Sequence, residues 1–399
     1  MRVLAPLLLL LTAPVQTGPA PTNRGPARTA PTPRDVLAAD AETRWIAFDL
    51  TPGNQMLFAL MLDGKPIRAI LDTGVSYSVL SRRYAEAEGL DVRAGGRASA
   101  IGGGVAIGWV DTASIVAGGL TRTAGRVGVA ALPASATGSA IDMLVGRDLT
   151  AGYALDIDYD ARRFRLIRSG RLPFRGLAAP LAISPQRQVY VSEARVAGQR
   201  IAPLIVDTGD GNAVTLSTEA IAAARIISPR HTSTISFGLG GPIVTGLTIL
   251  PEARFGAVVA NDIEVQIEPL GGFSHAIGMA GRIGSGFLQR YRVLLDPTAG
   301  RMVLAPGRKA LIPPLRSTSG VLVAAEAGRL RVLHVMRGSP AETGGWAAGD
   351  LICAIDGAPV RADYAASPMA GWSIAAPGRV VTLTLCDGAV RTITLRSFY

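Results

Sequence analysis

The sequence predicts a mostly β fold built from two tandem copies of one unit, followed by a different C-terminal module. Three observations predict it. Short runs rich in β-branched residues alternate with turn residues along the chain, and 47 Gly and 26 Pro fall in 399 residues, which favours strands over helices. Three sequence blocks recur in the same order. From about Gly320 that pattern gives way to another.

The recurring blocks place the copies. "GKPIRAILDTG" (Gly64–Gly74) lines up with "GQRIAPLIVDTG" (Gly198–Gly209), "MLVGRDL" with "RIGSGFL", and "YALDIDYDARRFRL" (Tyr153–Leu166) with "YRVLLDPTAGRMVL" (Tyr291–Leu304). Asp207 lies 135 residues after Asp72, and Tyr291 lies 138 after Tyr153. The order is therefore kept with small insertions, as in a repeat. The copies are placed at 45–168 and 180–306. Each carries a helix-like patch, "SRRYAEAEG" and "STEAIAAAR", and a glycine cluster inside alternating residues, "ASAIGGGVAIGWV" and "STISFGLGGPIVTG". Glycines there suit a hairpin tip that needs positive φ. Neither cluster sits between a strand and a helix with nucleotide-binding spacing.

Ahead of the copies, residues 1–20 read as a secretory signal: one positive charge, an apolar core from Leu4 to Val15, then small residues. Residues 21–44 read as a flexible Pro/Ala-rich lead-in. No later run is apolar for 18 residues. An exported, soluble protein, periplasmic or secreted, is expected. The formal charge of +10 comes almost wholly from arginine, Lys65 and Lys309 being the only lysines, a pattern of GC-rich bacterial genomes. The arginines are scattered, with no basic stripe interleaved with aromatics, so they are read as a solvated surface and no nucleic-acid partner is expected. Cys353 and Cys386 lie in two strand-like segments; export permits a disulfide, and two buried thiols are the alternative.

The chemistry lies in the two Asp-Thr-Gly elements. A strand that ends in Asp and turns through Thr and Gly presents a carboxylate on the floor of a cleft. A lone carboxylate there is costly. Two of them, Asp72 and Asp207, brought together by the repeat, cannot both ionise and share a proton. The charged one can take a proton from water while the neutral one polarises a peptide carbonyl. Thr73 and Thr208 offer hydroxyls to the opposing backbone, and Gly74 and Gly209 permit close approach. His231, His275 and His334 lack metal-ligand spacing, and Gly284–Gly286 does not form a nucleophile elbow. No cofactor or metal is expected.

These residues resemble retropepsin-type aspartic proteases. The resemblance rests on Asp72-Thr73-Gly74, Asp207-Thr208-Gly209, the glycine-rich flaps and the apolar-Gly element Leu144 to Leu149. It implies two fused acid-protease lobes of β-barrel type that form an intramolecular pseudo-dimer, an endopeptidase acting on polypeptide, and flaps that close over it. The flap residues are Ile101, Gly102, Gly103 and Gly104 in the first copy and Gly240 and Gly241 in the second. Three positions depart from the family: Val75 and Asp210 after the Gly, and Arg282 where an apolar residue is usual. Asp210 is expected either to shift the titration of the pair or to point to solvent. Pro242 is expected to stiffen or shorten the second flap.

Residues 320–399 resemble a PDZ domain of the bacterial protease-associated kind, through Gly338, Ser339, Pro340, Ala341, Gly345, Trp346, Gly349 and Asp350. That resemblance implies capture of a peptide C-terminus or strand along Val323 to Val335. The combined reading is a monomeric aspartic endopeptidase. The alternative is a catalytically weak protease-fold binding protein that works through the PDZ-like groove.

Overall fold

The computed structural model describes residues 32–132, 140–226 and 231–399. The expected signal at 1–20 and the lead-in as far as residue 31 lie outside the described residues. Two sheets carry the repeat. The first contains, in spatial order, Met56–Leu62, Lys65–Leu71, Met143–Val145, Val79–Ser81, Arg126–Ala130, Gly103–Asp111 and Arg93–Ala100. The second contains Tyr190–Val196, Gln199–Asp207, Gly281–Gly284, Val214–Ser217, Val258–Glu268, Gly241–Phe255 and His231–Gly238 in the same order. The pairing senses match as well. The strand leading to each Asp runs parallel to the apolar-Gly strand, and that strand pairs antiparallel with the one after the Asp turn.

A third sheet ties the two together. Its central strands are Ala154–Asp158 and Tyr291–Asp296, the matched Tyr blocks, paired antiparallel from Leu155↔Leu295 to Asp158↔Arg292. Asp156 is fully buried between Arg165 of the first block and Arg292 of the second, each with an N–O distance of 2.9 Å. Apolar side chains from both lobes and this sheet form one continuous core, including Leu155, Val293, Phe164 and Phe287.

The lead-in requires a correction. Arg34–Leu37 is a strand paired with Leu120–Thr123, and Ala41 is buried where Gly119 has no side chain. Its Asp35 carboxylate takes the fork of Arg122, from Nε at 2.7 Å and Nη2 at 2.8 Å. A Pro/Ala/Arg composition gives no hint of this, because the partner lies 87 residues on.

Pro242 does not interrupt or shorten the second flap. The second hairpin pairs without interruption from His231↔Thr248 to Gly238↔Gly241. Pro242 faces Phe237 one pair in from the closing pair, where the amide points outward and no ladder bond is lost. It is the first hairpin that carries an irregularity, between Ala94 and Gly96.

The last segment is a sheet of Val321–Glu326, Arg329–Val335, Leu351–Ile355, Val380–Leu385 and Val390–Thr394. It has its own core around Leu330, Ile352, Trp346 and Trp372. Ser339 caps the short helix Pro340–Thr343, and Cys353 and Cys386 form a disulfide. This module docks on the root of the second hairpin. Thr232 Oγ1 donates to Arg337 O at 2.7 Å, Ser233 Oγ lies 2.9 Å from His334 Nε2, and Leu247 packs with Met336 and Tyr399.

Candidate active site

Asp72 follows the strand Lys65–Leu71, and Asp207 ends the strand Gln199–Asp207. The next residues lock the two turns together. Thr73 Oγ1 donates to Val206 O at 2.7 Å and accepts from Thr208 N at 3.0 Å. Thr208 Oγ1 donates to Leu71 O at 2.7 Å and accepts from Thr73 N at 3.1 Å. Both threonines are fully buried, so these four bonds form where water cannot compete. A Cβ on Gly74 would sit 2.4 Å from Asp207 Oδ2, and one on Gly209 would sit 2.5 Å from Asp72 Oδ2. Glycine is required at both places by the opposing carboxyl.

The Asp72 and Asp207 carboxyls face each other across the turns, each lying against the glycine that follows the other. Asp72 Oδ1 accepts from Gly74 N at 3.1 Å. Asp207 Oδ1 accepts from Gly209 N at 2.9 Å and from Asp210 N at 3.0 Å. Burial, and then the charge of Asp207, hold Asp72 well above the ordinary carboxyl range. Burial, followed by the charge of Asp210, pushes Asp207 up to about 6, with Arg282 pulling the other way. Two carboxyls so placed hold one proton between them over a wide pH span.

The floor differs between the lobes. Under Asp72, Ser78 N and Oγ both donate to Asp148 Oδ1, at 2.8 and 2.7 Å, and Gly146 N donates to Ser78 Oγ at 3.0 Å. Asp148 also meets Arg122 Nη1 at 2.9 Å. Under Asp207 the corresponding residues are Ala213 and Gly286, and Gly284 and Gly286 let the backbone of Asn212 press close. Arg282 takes over instead. It is 2% exposed, and donates from Nε to Asp210 Oδ2 at 2.8 Å and from Nη1 to Glu268 Oε1 at 2.6 Å and Ser274 Oγ at 2.9 Å. Asp210 points inward, so the solvent-facing alternative for it is excluded.

The two hairpins meet at their tips. Ile101 and Gly102 form one turn, Leu239 and Gly240 the other, and Gly240 N donates to Ile101 O at 2.9 Å. Gly102 has φ +86°, and the absent Cβ of Gly240 would fall 2.4 Å from Gly102 C. Gly103, Gly104 and Gly241 lie in the flanking strands. Leu239 packs against an apolar cluster of the first lobe that contains Ile70, Val79 and Leu144.

Sequence reasoning misses a set of cross-braces. Asn54 Nδ2 donates to Gly211 O and Gln55 Nε2 to Gly209 O, both at 3.0 Å, while Ser76 Oγ donates to Arg187 O at 2.6 Å. Each Asp turn is thus held by the loop that opens the other lobe. Only a repeated loop position could have signalled this, since the residue types differ. Along Val323 to Val335, the strand Val321–Glu326 pairs on one side only. The amides just before it are occupied, Thr318 N and Ser319 N by Ser373 O and Gly320 N by Ser317 Oγ.

Comparison with known proteins matches part of the chain. A segment of 124 residues is 32% identical to DNA damage-inducible protein 1 of Neurospora crassa, covering 29% of this chain and 26% of that protein. The chain thus spans about a quarter of the length of that curated relative. Residues 58–149 match the aspartyl protease family model, so that this segment, with Asp72 inside it, carries the sequence of an aspartyl protease domain.

Proposed function

We propose that the chain is an aspartic endopeptidase in which Asp72 and Asp207 together activate one water molecule against a peptide carbonyl. The observation that carries this reading is the placement of the two carboxyls face to face, each over the other's glycine, across reciprocally bonded Thr turns. In this mechanism the ionised member of the pair withdraws a proton from water. The protonated member donates to the carbonyl oxygen, and the tetrahedral species collapses with proton return to the leaving nitrogen. The hairpin tips at Ile101–Gly102 and Leu239–Gly240 part to admit an extended polypeptide and close to exclude water. The two lobes, 34–168 and 180–306, act as a pseudo-dimer within one chain. Residues 320–399 form a PDZ-like module, and the protein works as an exported monomer.

Hydrolysis of an unfolded polypeptide, followed with and without a statine-type inhibitor, tests the assignment. Asp72→Asn and Asp207→Asn are each expected to lower kcat/KM by about 10³-fold or more. Cleavage that persists in either variant would overturn it. The groove-centred binding reading is less favoured, because the amides ahead of the edge strand already have partners in the chain.

A further inference from the structure

The floor beside Asp207 contains a charge cluster that the fold does not need. Strand register makes this explicit. Leu144 faces Val79 in the first lobe, and Arg282 faces Thr215 in the second. Ala130 pairs with Ser81, and Glu268 pairs with Ser217, the two serines being the caps of matched helices. Val75 and Asp210 both follow an Asp-Thr-Gly. Four apolar positions in one lobe, Val75, Val79, Ala130 and Leu144, are therefore Asp210, Thr215, Glu268 and Arg282 in the other. The first lobe packs three of these positions, Val79, Ala130 and Leu144, into one apolar cluster, so the backbone there is compatible with either solution. Buried ion pairs seldom stabilise more than apolar packing of similar volume. Their retention at a functional site calls for a role there.

The geometry supplies one. Asp210 donates its amide to Asp207 Oδ1 at 3.0 Å, so its carboxylate is held beside the proposed catalytic pair. That carboxylate cannot swing away. It accepts from Asn212 N at 3.0 Å, Asn212 Nδ2 at 2.7 Å, Thr215 Oγ1 at 3.3 Å and Arg282 Nε at 2.8 Å. Resting on the aspartic endopeptidase reading above, we infer that Asp210, clamped by Arg282 and Glu268, is a positioning residue that sets the pH at which the Asp72–Asp207 pair gives up its first proton. A fixed negative charge behind Asp207 makes that loss harder, and Arg282 limits the effect. Asp207 is faced by Asp72 from the first lobe and by Asp210 and Arg282 from its own, with Glu268 acting on Arg282; Asp72 is faced by Asp207 and Asp210. Asp210, Glu268 and Arg282 are buried, so these charges act through a low dielectric and are poorly screened by salt.

Two variants should move the acidic limb of the kcat/KM profile in opposite directions. Asp210→Asn deletes the negative charge, and the limb is expected about one pH unit lower, a tenfold gain in kcat/KM at pH values on that limb. The double variant Arg282→Met with Glu268→Gln leaves Asp210 charged and still bonded to Asn212 and Thr215, and the limb is expected higher. A structural defect alone would lower activity without moving the limbs apart. Both limbs shifting the same way, or neither moving, would overturn the inference. Should Asp210→Asn fail to fold, Glu268→Gln alone is expected to lower the limb by a smaller amount, and an unmoved limb there counts against it. Carbon-13 NMR titration of the aspartate carboxyls reads the same shifts without turnover. Shifted titrations in a protein that cleaves nothing would refute the endopeptidase reading and leave this inference standing. Cleavage with unmoved titrations would do the reverse.

Discussion

The two lobes share seven strands in one order and one set of pairing senses, yet at matched positions beside their aspartates they place different side chains. Beside Asp72 the wall at these positions is aliphatic, with Val79, Ala130 and Leu144 in one cluster, while the Ser78–Asp148–Arg122 network lies under the turn. Beside Asp207 it is ionic, with Arg282 gripping Asp210 and Glu268. Backbone symmetry is thus maintained by a few groups at the contact itself, the paired threonines and the glycines that follow them. One layer away the side chains are free to differ, provided each buried polar atom finds a partner.

Truncating one side chain in each wall should separate the two lobes most visibly. Arg282→Ala strands two buried carboxylates and is expected to cost about 3–5 kcal/mol. Leu144→Ala leaves a cavity beside a residue already 7% exposed and is expected to cost about 2–3 kcal/mol. Urea denaturation measures both, and equal losses would mean that the ionic floor contributes no more than packing.

A second test uses pH. Asp207 keeps its proton up to about 6 in the folded chain, against an ordinary value of 3.8. The native state therefore binds more protons than the unfolded state across that window. Stability from this group is present below about 4 and falls as pH rises through 6, by up to about 3 kcal/mol. Asp207→Asn lacks the penalty and should be more stable than the wild-type protein at pH 7. A variant whose stability parallels the wild type from pH 4 to 7 would show that Asp207 ionises normally.

The smallest effect concerns the hairpins. The second is fastened to the C-terminal module through Thr232, Ser233 and Leu247, whereas the first, with its register shift, has no such anchor among the described residues. Amide exchange along 97–106 should exceed that along 233–246 by about tenfold, the equivalent of one or two hydrogen bonds. Equal rates would mean that the module grips without stiffening.

The sequence makes some of this legible and hides the rest for physical reasons. The Asp-Thr-Gly pair and the glycine-rich tips stand out because their chemistry is local: a turn needs its residues adjacent. Arg282 and Asp210 read singly as departures, and Glu268 in "VQIEPLGG" reads as an ordinary strand end. The three become a cluster only when parallel strands bring 210, 268 and 282 together. The strand at Arg34–Leu37 hides for a like reason, since its register comes from Leu120–Thr123 and its anchor from Arg122. The two cysteines, which the sequence leaves between two readings, are a disulfide because Leu351–Ile355 and Val380–Leu385 are neighbours.

The central pairing of Ala154–Asp158 with Tyr291–Asp296 joins two unequal halves of a single polypeptide. Had the same floor been made by two identical chains, every residue would occur twice. A second Asp210 would stand behind the other aspartate, and two added negative charges would face the Asp72–Asp207 pair. A single gene for both halves lets one substitution act on one side alone, so the chain can bias its site without doubling the charge.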